Sequence, residues 1–347
     1  MSANIGANKL KFSVFGKGFD DTRNDSGDGY AETVDNYAIS EMTGAIDQTG
    51  EFVWFARSGL VKKRVDDMTT VAQSVYSGST NSFVGKPCNV DNNYGFFMNE
   101  DNEFKIFDLT DGTIIQSGTQ TNLYYICSRT CDIILVGTKI YLITLSPQRW
   151  DQYISWFDIT DGTSSCTFFD GQIAISGFAD ESTILVQNIP QWFSDSKGLR
   201  AYNLSHVQKW LLWADIQGGG GFPNCEYKGF GANGKMYLPV KTYGKWRMGV
   251  FSASHAPNIN GTPHPISTFG EFASQPDFYW RNNQRYGLAF TDGKKDVAFL
   301  TNLGLYWSDF KDVIKITSDE EIPIAMNDKV IFTTNYVYGR IRKFTYR

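Results

Sequence analysis

The chain has 347 residues, 41% hydrophobic and 15% aromatic, with 26 Phe, 18 Tyr and 9 Trp, enough apolar matter to bury a large core and to exclude a disordered chain. Its formal net charge is −5, from 32 basic and 37 acidic residues mixed along the sequence. No basic block tracks a phosphate backbone, so specific nucleic-acid binding has no electrostatic footprint, and the densest basic cluster, Lys62-Lys63-Arg64, reads as a solvated turn.

Met1 to Gly16 alternates apolar and polar residues without a continuous apolar run, so neither a signal peptide nor an anchor is expected there. The acidic stretch Asp20 to Gly29 follows. With Asn24, Ser26, Asp28, Gly29 and Asp35 at positions one, three, five, six and twelve, it gives a blurred calcium-loop pattern. Few of those positions are carboxylates and Asp replaces the bidentate Glu, so an acidic loop is the favoured reading and no metal is expected. Short β-branched and aromatic runs then alternate with turns. Ile133–Val136 leads through Gly137-Thr138 into Lys139–Leu145, and Thr183–Gln187 precedes Gly198–Leu204. Lys235–Val240 runs through Tyr243-Gly244 to Trp246–Phe251, Tyr286–Phe290 turns at Thr291-Asp292-Gly293 into Asp296–Leu300, and Lys329–Thr333 precedes Arg340–Tyr346. These are strand and hairpin signals. Helical signal is nearly absent: Val207 to Trp213 reads as one helical turn or as a buried strand. The most apolar region, Leu123 to Leu145, is broken by Arg129, Asp132 and Lys139, which argues against a membrane span.

An internal repeat organises these strands. Phe107-Asp-Leu-Thr-Asp-Gly-Thr113 recurs as Phe157-Asp-Ile-Thr-Asp-Gly-Thr163, offset by 50 residues, with echoes at Tyr202-Asn-Leu-Ser205 and Phe251-Ser-Ala-Ser254. A period near 50 in an all-β chain matches blades of four strands. The expected fold is a single β-propeller domain over residues 1–347, with seven blades or, alternatively, six. Blades are placed at 23–65, 68–117, 121–165, 170–215, 224–270 and 276–320, and a last one joins 322–347 to an N-terminal strand, 9–15. Strands from both termini would then close the ring and remove an open edge. Phe107 and Phe157 are expected to end a strand and pack between blades. Asp108, Asp158, Asp111 and Asp161 are read as turn-makers, with Gly112 and Gly162 at the positive-φ position.

Recognisable chemistry is sparse. The five cysteines, Cys88, Cys127, Cys131, Cys166 and Cys225, are irregularly spaced and read as free structural thiols of a chain made in a reducing cytosol; whether Cys127 and Cys131 pair across a hairpin stays open. His206, His255 and His264 flank no cysteine pair, so no zinc site is formed. No Gly-x-Ser-x-Gly elbow occurs, and Gly218–Gly221 lacks the Lys-Ser/Thr of a phosphate loop. Asp170, Asp215 and Asp292 are conceivable acids or bases of a channel glycosidase, but no carboxylate stands out from the turn aspartates and no catalytic pair is named. Trp54, Trp150, Trp192, Trp246 and Trp280 could stack on sugars; filling the wedges between sheets is the stronger reading, with Trp150 and Trp192 the ones placed near loops.

Leu305-Tyr-Trp-Ser-Asp309 resembles the repeated motif of lipoprotein-receptor propellers but occurs once. Gly16-Lys-Gly-Phe-Asp20 with its acidic loop, Tyr37-Ala-Ile-Ser40 and the terminal Tyr338-Gly-Arg-Ile-Arg-Lys343 resemble the β-propeller tail hub or nozzle proteins of short-tailed bacteriophages. The resemblance covers about a tenth of the chain and implies a scaffold of the virion tail, made in the host cytoplasm, that contacts other virion subunits and self-associates in a ring. It assigns no catalytic residue and no cofactor. The expected function is therefore that of a non-enzymatic structural protein acting through protein–protein contacts. The alternatives are a carbohydrate-binding or glycoside-cleaving propeller, with a host-surface glycan as partner, and a cytosolic interaction scaffold.

Overall fold

Runs of β-branched and aromatic residues, each too short for a stable helix and bounded by turn residues, pair into antiparallel sheets. The computed structural model describes residues 19–21, 43–56, 59–75, 83–85, 93–98, 103–119, 130–145, 152–169, 173–189, 198–205, 207–214, 229–252, 265–276, 278, 280–281, 284–285, 288–335 and 340–346. These form seven open four-stranded sheets, one two-stranded sheet and one 3-10 turn, Asp292–Lys294.

Strand β1 (Phe19–Asp21) belongs to the last sheet. The first sheet holds β2 (Thr43–Ile46), β3 (Phe52–Ala56), β4 (Gly59–Arg64) and β5 (Thr70–Val75). The second holds β6 (Phe83–Gly85), β7 (Tyr94–Met98), β8 (Glu103–Asp108) and β9 (Ile114–Thr119). Next come β10 (Thr130–Val136), β11 (Lys139–Leu145), β12 (Gln152–Asp158) and β13 (Ser164–Phe169). The fourth sheet is β14 (Ile173–Asp180), β15 (Thr183–Ile189), β16 (Gly198–Asn203) and β17 (Gln208–Ala214). The fifth is β18 (Phe230–Ala232), β19 (Lys235–Thr242), β20 (Lys245–Ser252) and β21 (Ser267–Phe272). A small hairpin, β22 (Trp280–Arg281) and β23 (Gln284–Arg285), follows. The sixth sheet is β24 (Leu288–Phe290), β25 (Val297–Thr301), β26 (Gly304–Ser308) and β27 (Val313–Thr317). The seventh runs β1-β30-β29-β28, with β28 (Ile322–Met326), β29 (Val330–Asn335) and β30 (Arg340–Tyr346).

Every four-stranded sheet is a meander of hairpins, except that the last takes its fourth strand from the other end of the chain. Phe19 pairs with Tyr346 and Asp21 with Phe344. The terminal strand expected at 9–15 lies outside the described residues; the one seen pairing is β1. The expected boundary between 65 and 68 falls inside a sheet, since Thr70–Val75 pairs with β4. Val65–Thr69 is a hairpin turn between β4 and β5 and not a blade end. Val207 to Trp213 is settled as strand by the pairing of Trp210 and Trp213 with β16.

The chain divides into two compact units, one of Met1–Thr121 with Tyr286–Arg347 and the other of Asn122–Arg285. In the first unit β24, β28, β2 and β6 lie side by side in that order; in the second β10, β14 and β18 do, and β23 also meets β10. First strands therefore neighbour first strands. In the sixth sheet the middle strands are covered on both faces: every residue of β25 and β26 is buried, which is why Val297-Ala-Phe-Leu-Thr and Gly304-Leu-Tyr-Trp-Ser read as continuous apolar runs rather than alternating ones. The core lies between consecutive sheets. One cluster joins Ala45, Trp54 and Leu60 to Phe97, Phe107 and Leu109. Another joins Ile134, Ile143 and Ile154 to Phe178 and Ile184, and a third joins Ala298, Leu305 and Trp307 to Met326, Ile331 and Phe344. At about 1.5–3 kcal/mol for each fully buried large side chain, these seams are the main favourable term holding sheets together.

Candidate functional site

The repeated motif folds identically in both copies. It forms the turn from third to fourth strand, β8 to β9 and β12 to β13. Asp108 N–H donates to Thr113 O at 2.9 Å and Gly112 N–H to Asp108 O at 2.8 Å; Asp158 to Thr163 O and Gly162 to Asp158 O repeat this at 2.8 and 3.1 Å. Gly112 and Gly162 have φ of +80° and +72°. Asp108 Oδ1 accepts from Thr110 N–H at 2.7 Å, and Asp158 Oδ1 accepts from Thr160 N–H and Oγ1 at 2.9 and 2.6 Å. Asp111 and Asp161 accept the Thr113 and Thr163 N–H groups, each at 2.8 Å. Asp158 is held below the ordinary carboxylate range first by the Thr160 hydroxyl, and Asp111 first by the Thr113 N–H. The turn is also tied back to the start of the second strand, by Leu109 N–H to Asn93 O and Ile159 N–H to Thr138 O, and by Thr138 Oγ1 donating to Asp158 Oδ2 at 2.8 Å.

A third copy escaped sequence reading. Arg64-Val-Asp-Asp-Met-Thr69 makes the same bonds: Arg64 N–H to Thr69 O, Met68 N–H to Arg64 O and Val65 N–H to Glu51 O. Asp67 Oδ1 accepts from Thr69 N–H and Oγ1 at 2.9 and 2.7 Å, as Asp161 does from Thr163. Met68, at φ +61°, stands where the other copies have glycine. The spacing Asp67-x-Thr69 was the available signal. The echo Tyr202–Ser205 is a shorter version in which Asn203 Oδ1 accepts from Ser205 and Val207 N–H. In the sixth sheet Ser308 Oγ accepts from Phe310 N–H, so Leu305–Asp309 occupies the same place in its sheet.

These turns are where one sheet grips the next. Trp54 Nε1 donates to Leu109 O at 2.7 Å, its ring meets Phe107 edge-on at 5.4 Å, and it lies against Gly112. Lys62 Nζ, 4.2 Å from the Phe52 ring centroid, donates to Thr110 O. One sheet earlier the same role falls to Lys343, whose Nζ donates to Val65 O and Asp66 O; burial lowers its pKa, against the opposing pull of Asp66 and Asp67. In the second unit Asp132 Oδ2 accepts from Phe178 N–H at 2.8 Å. Within the seventh sheet Arg342 Nη1 donates to Glu321 Oε1 at 2.6 Å and to Asp319 Oδ2 at 2.9 Å, while Thr333 Oγ1 donates to Glu321 Oε2 at 2.7 Å. Arg342 and Glu321 are buried, so removing either partner would leave the other an uncompensated buried charge.

The other candidates scatter. Asn24, Ser26, Asp28 and Asp35, like Asp170, Asp215, Trp150, Trp192, the three histidines, Cys88, Cys127 and Cys225, lie outside the described residues. Asp292 starts the 3-10 turn. Trp54 is 4% exposed, so it fills a seam between sheets and presents no face for a sugar; Trp246 is half-buried. Cys166 is a half-buried free thiol whose pKa burial raises, making it a poor nucleophile. Among the described residues no three His, Cys, Asp or Glu side chains converge as a metal site, and no helix is long and apolar enough to cross a membrane. The aspartates of the repeat are thus brought together with turn donors and not with one another.

No protein-family model and no curated protein matches the chain. Among solved structures it is similar to the crystal structure of the Cps50 (Swd1) β-propeller domain of Myceliophteria thermophila, at a TM-score of 0.51 and 11% identity, over 87% of this chain and 98% of that one. At that identity the likeness shows the fold alone: this is an all-β chain of the β-propeller type.

Proposed function

We propose that the seven four-stranded sheets are the blades of one closed propeller, and that the protein is a non-enzymatic structural component acting through contacts with other proteins, as a part of a bacteriophage tail. Blade succession is supported by first strands lying against first strands in each unit, and closure by the sheet that joins both ends of the chain. The observation carrying the scaffold reading is the use of the repeat's polar groups. Three aspartate turns accept hydrogen bonds from their own backbone, and lysines reach across to the carbonyls of two of those turns. Groups so committed build a rigid frame whose free chemistry lies at its surface. The tail setting comes from the resemblance of the two ends of the sequence, and self-association in a ring comes with it. Mass spectrometry and cryo-electron microscopy of purified particles are expected to find the chain in the tail; its absence from particles would overturn the virion reading.

A further inference from the structure

Strand β19 ends in a tight turn on both sides, and the two turns differ in one residue. Ala232 pairs with Lys235 across Asn233-Gly234, and Thr242 pairs with Lys245 across Tyr243-Gly244. Both are two-residue hairpin turns with both central residues at positive φ, +52° and +67° in the first and +50° and +79° in the second. Asn-Gly is the sequence such a turn selects, because Asn tolerates the left-handed region and Gly is indifferent to it. A bulky side chain such as tyrosine is a genuine outlier there. Among the described residues nothing compensates: Tyr243 is 101% exposed, and a Cβ on Gly244 would find no atom within 4 Å. The hairpin holds an aromatic ring clear of its own fold, against the local preference of the backbone.

Its surroundings are basic. Lys241 and Lys245 flank the tip and are exposed, Arg247 follows, and Glu271 is the carboxylate that meets them, 2.8 Å from Lys245 and 4.0 Å from Arg247. Between Gly229 and Phe272 there are four basic residues and one acidic, a net +3 in a chain of net −5. The unit containing this hairpin has 13 basic and 12 acidic residues, while the other unit has 19 basic and 25 acidic, so they carry +1 and −6. An exposed Tyr beside Arg and Lys is the side-chain set that anchors protein interfaces, and its electrostatic complement is present on the same chain.

We infer that the Tyr243 hairpin is the docking element by which one copy of this chain binds the acidic unit of a second copy. Such a contact is heterologous: each copy offers a hairpin and an acidic unit, so the contact repeats and yields a ring or a filament according to whether its rotation closes. The inference rests on the self-association reading above and names its surface. Long-range attraction between opposite charges sets the encounter and is screened by salt, while the ring supplies the contact that persists.

The test uses the purified full chain, as wild type, Tyr243→Asn, Tyr243→Phe and the double charge reversal Lys241→Glu with Lys245→Glu. Sedimentation velocity over a concentration series reads assembly, and thermal unfolding reads stability. Tyr243→Asn is expected to weaken self-association by about 30-fold or more, the loss typical of an interface anchor, and to raise the melting temperature by about 2 °C as the strained turn regains its preferred residue. The charge reversal is expected to weaken assembly most at low salt, and Tyr243→Phe to retain it. If wild type and Tyr243→Asn assemble alike, the hairpin inference fails while self-association stands. A wild type that stays monomeric at every concentration overturns the self-association reading and this occupant together. A Tyr243→Asn variant that melts lower than wild type refutes the conformational argument.

Discussion

Replacing Gly112 with Ala is the sharpest probe of how the repeated turn locks adjacent sheets. At φ +80° any L side chain is disfavoured by about 1–2 kcal/mol. The new Cβ would also stand 2.7 Å from Cη2 of Trp54, a distance that forces the indole to move. Its hydrogen bond to Leu109 O, 2.7 Å long and buried, would be lost or lengthened, a further loss of about 1–1.5 kcal/mol. The expected total is about 2–3.5 kcal/mol. Gly137→Ala is the matched control: φ there is +60° but no atom lies within 4 Å of the added Cβ, so only the backbone term of about 1–2 kcal/mol applies. Urea unfolding of both variants gives the comparison from their midpoints. In a Trp54→Leu background the excess at Gly112 is expected to vanish, as a double-mutant cycle for contacting residues requires. Equal losses at the two glycines would refute the account of Trp54 as the clasp on this turn.

Two further outcomes follow from titrating groups. The folded pKa of Asp158 is held below 3.8 by its turn donors, so its contribution to stability is complete above that value and is lost as pH falls through the lowered folded pKa. Asp158→Asn keeps an acceptor oxygen in the turn and is expected to show a shallower loss of stability between pH 5 and acid than wild type; unfolding midpoints that fall in parallel would count against it. Burial pushes the Tyr237 and Tyr306 hydroxyls up to about 12, so a spectrophotometric titration of the native chain is expected to leave at least these two tyrosines protonated at pH 11 and to ionise them on unfolding, and their early ionisation would contradict the packing described.

The fold was legible where one residue type had one physical use. Asp111-Gly112 and Asp161-Gly162 announce turns because the Asp supplies the N–H acceptor and the Gly takes the left-handed backbone without steric cost. Arg64–Thr69 was hidden because Met68 occupies the glycine position and Arg64 the aspartate position, while the backbone bonds that define the turn do not depend on either side chain. The boundary between the first two sheets was misplaced for that reason. Phe107 and Trp54 could be assigned to the wedge between sheets from their type, but not to each other, since the partner is 53 positions away and fixed by the sheet succession. Lys62 reads as part of a solvated turn; its burial against a turn carbonyl, like that of Lys343, is a tertiary fact without a local signature. Tyr243 was legible as a turn residue, and its peculiarity emerges only with a positive φ and complete exposure in hand.

The pairing of Phe19 with Tyr346, 327 positions apart, sets an order on synthesis. At about 5–20 residues per second, the ribosome needs roughly 15–65 s after making the first of these strands to make its partner. Six sheets have all their own strands within one continuous stretch of chain and can form as they emerge. The seventh must wait for β30, so β1 goes without its native neighbour until residue 346 has been made, and any chain stalled short of residue 340 carries a β1 strand for which no partner has yet been made.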